Sequence, residues 1–257
     1  MKHFAIFALL LFTANCGAED KAISVKTIAT IMRSIVPIVC AFADAEKGGQ
    51  VSGIIGTGFL IDTNGRFVTA GHVLDDWGKV STPERPCQPA VFFPDTGWGH
   101  FTVNIKVQFV SFSDCARAAS VDLAVCSLAS NPFTSSRIPR GSIEPVSFDT
   151  EEKPIGTPIA FTGFPLQMNS PVASQGIIAG VLADPGEDQA FGYAIDKSAW
   201  PGASGSPAYI SNGKVVGIVY ATGISLGAGL TYSRSASVIV DFLSKHPFAA
   251  KQETITH

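Results

Sequence analysis

Charge is scarce in this chain. Only 15% of its 257 residues are Asp, Glu, Lys or Arg, and 18 basic residues face 21 acidic ones, for a net charge of −3. No basic cluster interleaved with aromatics offsets that balance, so a nucleic-acid partner has no electrostatic footing. The chain has no CxxC pair and no HExxH, so the usual zinc spacings are missing and neither metal nor cofactor is expected. Helical heptads and solenoid-type repeats are absent as well. Beyond the first residues, no apolar run approaches the roughly 20 residues that span a bilayer.

What remains is 46% hydrophobic, with 25 glycines and 16 prolines. That composition excludes disorder and favours many short strands joined by turns. The start has a different character. Lys2 and His3 form a polar head, Phe4 to Phe12 are all apolar, and small or polar residues follow. This is the pattern of a secretory signal, expected over residues 1–18 with cleavage after Ala18. Thr13-Ala14-Asn15-Cys16 also approaches a bacterial lipobox, which would leave a lipid on Cys16 and tether the chain to a membrane surface. Either route places the mature protein outside the cytoplasm, secreted or periplasmic.

Export gives the remaining cysteines meaning. Cys40, Cys87, Cys115 and Cys126 can form two disulfides in three pairings. Cys87 and Cys115 lie in loop-like sequence and are expected to pair. Cys40 and Cys126 sit in apolar runs, where they either pair or stay as buried thiols.

Ile28, Ile31, Met32 and Ile35 share one helical face before Pro37, which should end that helix. Ile38 to Phe42, Gly56 to Ile61 and Phe67 to Ala70 read as strands, the last two joined by the Asn64-Gly65 hairpin signal. Residues 78–100 read as a long loop with at most one strand. Val103 to Phe112 and Leu123 to Leu128 complete the first half. A polar, proline-bearing stretch from Asn131 to Pro145 then reads as a linker. Six more strand-like runs follow between Pro158 and Ser233, and a closing helix is expected over Ser235 to His246. Two β halves result, over 19–135 and 146–247, with a tail at 248–257.

Three segments bear chemistry. Phe67-Val68-Thr69-Ala70-Gly71-His72 delivers an imidazole just past a strand. Asp122 stands directly before the Leu123-Ala124-Val125 run. Pro201-Gly202-Ala203-Ser204-Gly205-Ser206-Pro207 puts a serine in a tight glycine turn. A serine hydroxyl is a weak nucleophile until an imidazole takes its proton, and the imidazole needs a carboxylate to fix its tautomer. His72, Asp122 and Ser204 supply those three groups. Asp75, Asp76 and Asp114 compete for the carboxylate role, but only Asp122 is pinned by a following hydrophobic strand. An α/β-hydrolase layout is excluded: it needs an acid and then a histidine well after the serine, and a second glycine where Ser206 stands.

These segments, in the order His, Asp, Ser, resemble the signatures of trypsin-like serine proteases, above all the bacterial HtrA and V8-like branch. Asp196-Lys197-Ser198-Ala199-Trp200-Pro201-Gly202 is similar to that branch's lead-in to the serine, and Phe161-Thr162-Gly163-Phe164-Pro165 to its turn in the second half. The resemblance covers roughly residues 35–245. It implies an all-β fold of two six-stranded antiparallel barrels with a short C-terminal helix. It implies a serine endopeptidase acting through an acyl-enzyme, with the Gly202 and Ser204 amides as oxyanion hole. It also implies a primary pocket based on Ser198, with Tyr220 on the substrate-pairing edge and Gly229 on the far wall. Ser198 is uncharged, so an uncharged residue is expected before the scissile bond. A zymogen-type IVGG start is missing at Ile38-Val39-Cys40-Ala41, and no PDZ-like module is expected after residue 247. The rival class is a silent protein of the same fold that binds peptides or protein partners without turnover.

Overall fold

The computed structural model describes residues 22–42, 51–95, 97–98, 106–183, 191–222 and 229–246. The expected signal, Cys16, the tail at 248–257 and Gly227, which the resemblance places with Gly229 on the far wall of the pocket, lie outside the described residues. Twelve strands form two closed six-stranded antiparallel barrels.

The first barrel uses β1 (Ile35–Ala41), β2 (Gly56–Leu60), β3 (Arg66–Ala70), β4 (Gln88–Pro94), β5 (Val107–Ala118) and β6 (Leu123–Leu128), in the order β1-β2-β3-β6-β5-β4. The second uses β7 (Pro158–Gly163), β8 (Val172–Leu182), β9 (Gly192–Ile195), β10 (Pro207–Tyr209), β11 (Val215–Thr222) and β12 (Thr231–Ser235). Its order, β7-β8-β9-β12-β11-β10, repeats the topology of the first.

Alternation builds the cores. Val36, Ile38, Leu60, Phe67 and Cys126 point into the first barrel, whereas their neighbours Val39, Phe59, Val68 and Val125 join a core shared with Ala160, Phe164, Tyr209 and Ile218 of the second barrel. Period-two patterning thus fills the barrel and also glues the two barrels together. Ile159, Phe161, Ile178 and Ile195 fill the second barrel.

Helices seal the ends. α1 (Val25–Met32) is capped by Ser24 Oγ, which accepts from Thr27 N–H, and it buries Ile31 in the shared core. α3 (Ala236–Lys245) adds Ile239 and Phe242 to the same core. α2 (Gly71–Val80) is a helix that the sequence pattern does not announce, and its last turn runs into the stretch read as loop from residue 78. It is held by tertiary packing: a Cβ on Gly56 would lie 2.6 Å from the Val73 side chain.

Two expectations need correction. Pro37 does not end a helix before the first strand but lies within β1, opposite Thr57. No ladder bond is lost there, because the Thr57 backbone is engaged elsewhere: its N–H donates to Ser204 O and its carbonyl accepts from the Thr69 hydroxyl. The disulfides are Cys40–Cys87 and Cys115–Cys126, with Cα separations of 5.4 and 4.1 Å, not Cys87–Cys115. Strand pairing decides this. Cys40 faces Pro89 across the β1–β4 pair, one residue beyond the chain entry at Cys87–Gln88. Cys115 lies at the β5 bulge opposite β6, which carries Cys126.

Candidate active site

β3 ends at Ala70, and the chain turns directly into α2, so His72 stands at the barrel rim. Asp122 caps a short helical turn in left-handed backbone, φ 52° and ψ 51°, a conformation Asp tolerates better than most residues. This bend aims both carboxylate oxygens at one residue. Asp122 Oδ2 lies 2.7 Å from His72 Nδ1, and Oδ1 accepts from the His72 backbone N–H at 2.8 Å. Gly71 N–H donates to Asp122 O at 2.9 Å. A Cβ on Gly71 would come 3.0 Å from Asp122 Oδ1, so a glycine before His72 gives the carboxylate room.

The Asp122 hydrogen bond holds the His72 imidazole pKa above its ordinary value. Burial opposes that shift, and the Asp122, Asp76 and Asp75 charges add to it. The competing carboxylates have other partners: Asp75 pairs with Arg117, Asp76 with Lys79, and Asp114 accepts from Ser113 Oγ. Two arginines brace the pair. Arg117 Nη2 donates to Gly71 O at 2.9 Å, and Arg234 Nε, from β12 of the other barrel, donates to Val121 O at 3.1 Å.

Ser204 sits in the loop between Trp200 and Pro207, whose buried backbone groups are held by hydrogen bonds along its length. Ala203 N–H closes a turn onto Trp200 O at 2.9 Å, around Pro201 and a Gly202 with φ 95°. Proline followed by a positive-φ glycine suits a type II turn. Pro201 O accepts from Leu166, Gly202 O from the Thr57 hydroxyl, Ala203 O from Ser206 N–H and Ser204 O from Thr57 N–H. Gly205 N–H donates to Val219 O at 2.7 Å. Every carbonyl from Trp200 to Ser204 is therefore occupied. Among the described residues, the Gly202 and Ser204 N–H groups have no acceptor. A trans peptide points its N–H opposite its carbonyl, so the anchoring of Pro201 O and Ala203 O turns these two donors away from the scaffold. Two free, fixed amides beside a serine can stabilise an oxyanion.

The glycines here are obligatory. A Cβ on Gly202 would lie 2.3 Å from Phe164 O, and one on Gly205 would lie 1.9 Å from Thr57 O. The His72 and Ser204 segments meet at the Gly56–Thr57 step, where Gly56 packs on Val73 and Thr57 bonds Ser204. Among the described residues, no hydrogen bond joins the Ser204 hydroxyl to His72. Such contacts are often long without substrate and tighten in the complex.

Beside this loop lies a cavity of about 490 Å³, lined by Phe161, Val172, Ser174, Ser198, Ala203 and Gly229. Ser198 and Gly229 face each other, with Ser198 Oγ 3.4 Å from where a Gly229 Cβ would sit. Tyr220 does not line the cavity. Its ring lies under the Arg234 guanidinium, 4.3 Å away, against the first-barrel cluster. Tyr220 lies at a bulge, Ala221 and Thr222 pair with Tyr232 and Thr231 of β12, and among the described residues no strand pairs with this end of β11 on its other side. Gly202 itself borders a second cleft of about 420 Å³, together with Ile54, Ile55, Leu166 and Pro201. Leu166 and Gln167 both have positive φ, 53° and 58°, which lets Leu166 N–H reach Pro201 O.

Thr57, Arg117, Arg234 and Leu166 are not apparent from sequence, because each acts on a segment distant in the chain. The one local hint is the pair of glycines flanking Thr57.

The family described as "Trypsin-like peptidase domain" matches residues 56–218, more than half of the chain, from the start of β2 into β11. No curated protein sequence matches at a significant level. Among solved structures, the active form of the Rv3671c protease from M. tuberculosis is similar with a TM-score of 0.59 and 22% identity, covering 88% of this chain and 85% of that one. Its inactive form gives 0.57 and 20%, covering 87% and 93%. Deg5 gives 0.59 and 18%, covering 84% and 90%. At these identities the likeness concerns the fold.

Proposed function

This chain belongs to the trypsin-like peptidase family of serine endopeptidases, and on that premise we propose that it is exported and cleaves proteins or peptides through His72, Asp122 and Ser204. In this reading the Ser204 oxygen attacks the substrate carbonyl carbon while His72 Nε2 takes the hydroxyl proton. Asp122 keeps the Nδ1 proton in place and stabilises the imidazolium. The carbonyl oxygen becomes an oxyanion between the Gly202 and Ser204 amides. The C–N bond then breaks, and His72 returns its proton to the leaving amine. Water, deprotonated by His72, releases the acyl group and regenerates Ser204.

The observation that carries the reading is the two-point hold of Asp122 on His72, at 2.7 and 2.8 Å. It selects the tautomer whose Nε2 is free to act as base. The experiment is casein hydrolysis by the wild type, by Ser204→Ala and by His72→Ala. Turnover by the wild type alone supports the assignment. Intact casein with the wild type would favour a silent peptide-binding chain, a reading consistent with the unjoined Ser204 and His72 groups.

Substrate is proposed to lie along the β11 edge from Tyr220, with its residue before the scissile bond in the Ser198–Gly229 cavity. That residue is uncharged in this reading: Ser198 offers a neutral hydroxyl, and the two charged residues that also line the cavity, Asp196 and Lys197, are of opposite sign and favour neither charge. Export is supported by Cys40–Cys87 and Cys115–Cys126, which belong to an oxidising compartment. The proposed maturation removes residues 1–18, leaving halves at 19–135 and 146–247 and a tail at 248–257. A lipid on Cys16 is the alternative.

A further inference from the structure

Thr57 is completely buried on β2 of the first barrel, yet its polar atoms serve mainly the second. Its hydroxyl donates to Gly202 O at 2.8 Å and accepts from Phe164 N–H at 3.0 Å. The direction of both bonds is forced, since a carbonyl can only accept and an amide can only donate. Its backbone N–H donates to Ser204 O at 2.8 Å, and its carbonyl accepts from the buried Thr69 hydroxyl at 2.7 Å. One residue thus grips the loop at the carbonyls of Gly202 and Ser204, the two residues whose amides are left free. The glycines around it show how tightly the grip is built: a Cβ on Gly163 would lie 2.7 Å from Thr57 Oγ1, and one on Gly205 would lie 1.9 Å from Thr57 O.

We propose that Thr57 is a positioning residue for catalysis, whose hydroxyl aims the Gly202–Ser204 segment so that its two amides converge on the oxyanion. The proposal rests on the endopeptidase reading above. Thr57 touches no reacting atom. It acts by fixing the plane of the Gly202–Ala203 peptide from one side, while Trp200 O holds that peptide's N–H from the other. Gly202 has no Cβ to resist rotation, so without the hydroxyl the turn between Pro201 and Ala203 has a softer hinge. The consequence falls on the transition state, where charge develops on the oxygen, and much less on ground-state binding.

The test uses Thr57→Val, which keeps the shape and removes the hydroxyl, Thr57→Ala, which leaves room for water, and Thr57→Ser, which keeps the hydroxyl. Outright loss of an oxyanion donor costs about 100- to 1000-fold, so misaiming one should lower kcat by about 10- to 100-fold. KM on a quenched peptide should stay within about threefold. Affinity for a peptide aldehyde, which forms a tetrahedral adduct with Ser204, should weaken by about the same factor as kcat. Thr57→Ser should stay within about threefold of wild type in kcat. Folding of each variant is checked by thermal melting, and Thr57→Ala is read by the same criteria where Thr57→Val does not fold.

The proposal is overturned by a folded Thr57→Val with wild-type kcat and aldehyde affinity, by a loss confined to KM, or by Thr57→Ser losing as much as Thr57→Val. It is also overturned if neither hydroxyl-free variant folds while Thr57→Ser does, which would make the hydroxyl a folding group. Failure of the parent reading looks different: wild type and Ser204→Ala would then be equally inactive.

Discussion

Replacing Asp122 with Asn tests the tautomer argument while barely changing shape. Asp122 accepts twice from His72, from the backbone N–H at 2.8 Å and at Nδ1 at 2.7 Å. An asparagine has one accepting and one donating end. If its oxygen keeps the bond to the backbone N–H, its NH2 faces Nδ1. The imidazole must then accept at Nδ1 and carry its proton on Nε2, where it cannot take the serine proton. If the amide flips, its NH2 opposes the half-buried backbone N–H and that bond is lost. The first arrangement keeps the fold and removes the base. The expected loss is about 10⁴-fold in kcat, close to 5.5 kcal/mol, with KM changed only a few-fold. The assay is steady-state hydrolysis of a quenched peptide from pH 6 to 9, with thermal melting as the folding control. A folded Asp122→Asn within tenfold of wild-type kcat would refute the reasoning.

The raised His72 pKa gives two further signs. Activity should rise with pH, with a midpoint above the ordinary imidazole value of about 6.5, as neutral imidazole appears; a flat profile from pH 6 to 8 would count against His72 as base. The stability contribution runs the other way. It is fully present below the unfolded value and fades as pH rises through the folded one, so the Tm gap between wild type and Asp122→Asn should be wider at pH 5.5 than at pH 9. Opening Cys40–Cys87, a separation of 47 residues, should cost about 4 kcal/mol. Opening Cys115–Cys126, a separation of 11, should cost about 3 kcal/mol, and denaturant melts of the paired Cys→Ser variants would test that order. A peptide-library profile should show an uncharged residue before the cleaved bond; Arg, Lys or Glu there would contradict the role given to Ser198.

What could be read from the sequence is what chemistry writes locally. His72 follows a strand ending in Thr69-Ala70-Gly71, Asp122 precedes a buried strand, and Ser204 needs Gly202 and Gly205, so each carries its own short signature. Strand-like runs indicated two β halves, whereas the two six-stranded barrels were implied by the resemblance to trypsin-like proteases. Strand patterning does not show that both halves share one topology, because a barrel asks only for inward and outward positions and not for a repeated sequence. The α2 helix was hidden because Gly71 and Gly78 weaken its propensity and packing of Val73 supplies what propensity lacks. The disulfides depended on which strands are neighbours, and only the closed barrel order of β1 with β4 and β5 with β6 brings those cysteines together. Thr57 was silent for a related reason. A threonine between two glycines looks like ordinary strand, and its role exists only once a loop 145 residues away folds onto it.

The account turns on Ser204 being a nucleophile activated by His72. The most direct measurement is labelling with a fluorophosphonate probe and location of the adduct by mass. The account predicts one adduct, on Ser204, whose rate of formation rises with pH through the His72 titration and collapses in His72→Ala. No adduct between pH 6 and 9, or an adduct on Ser204 that forms equally fast without His72, would contradict it.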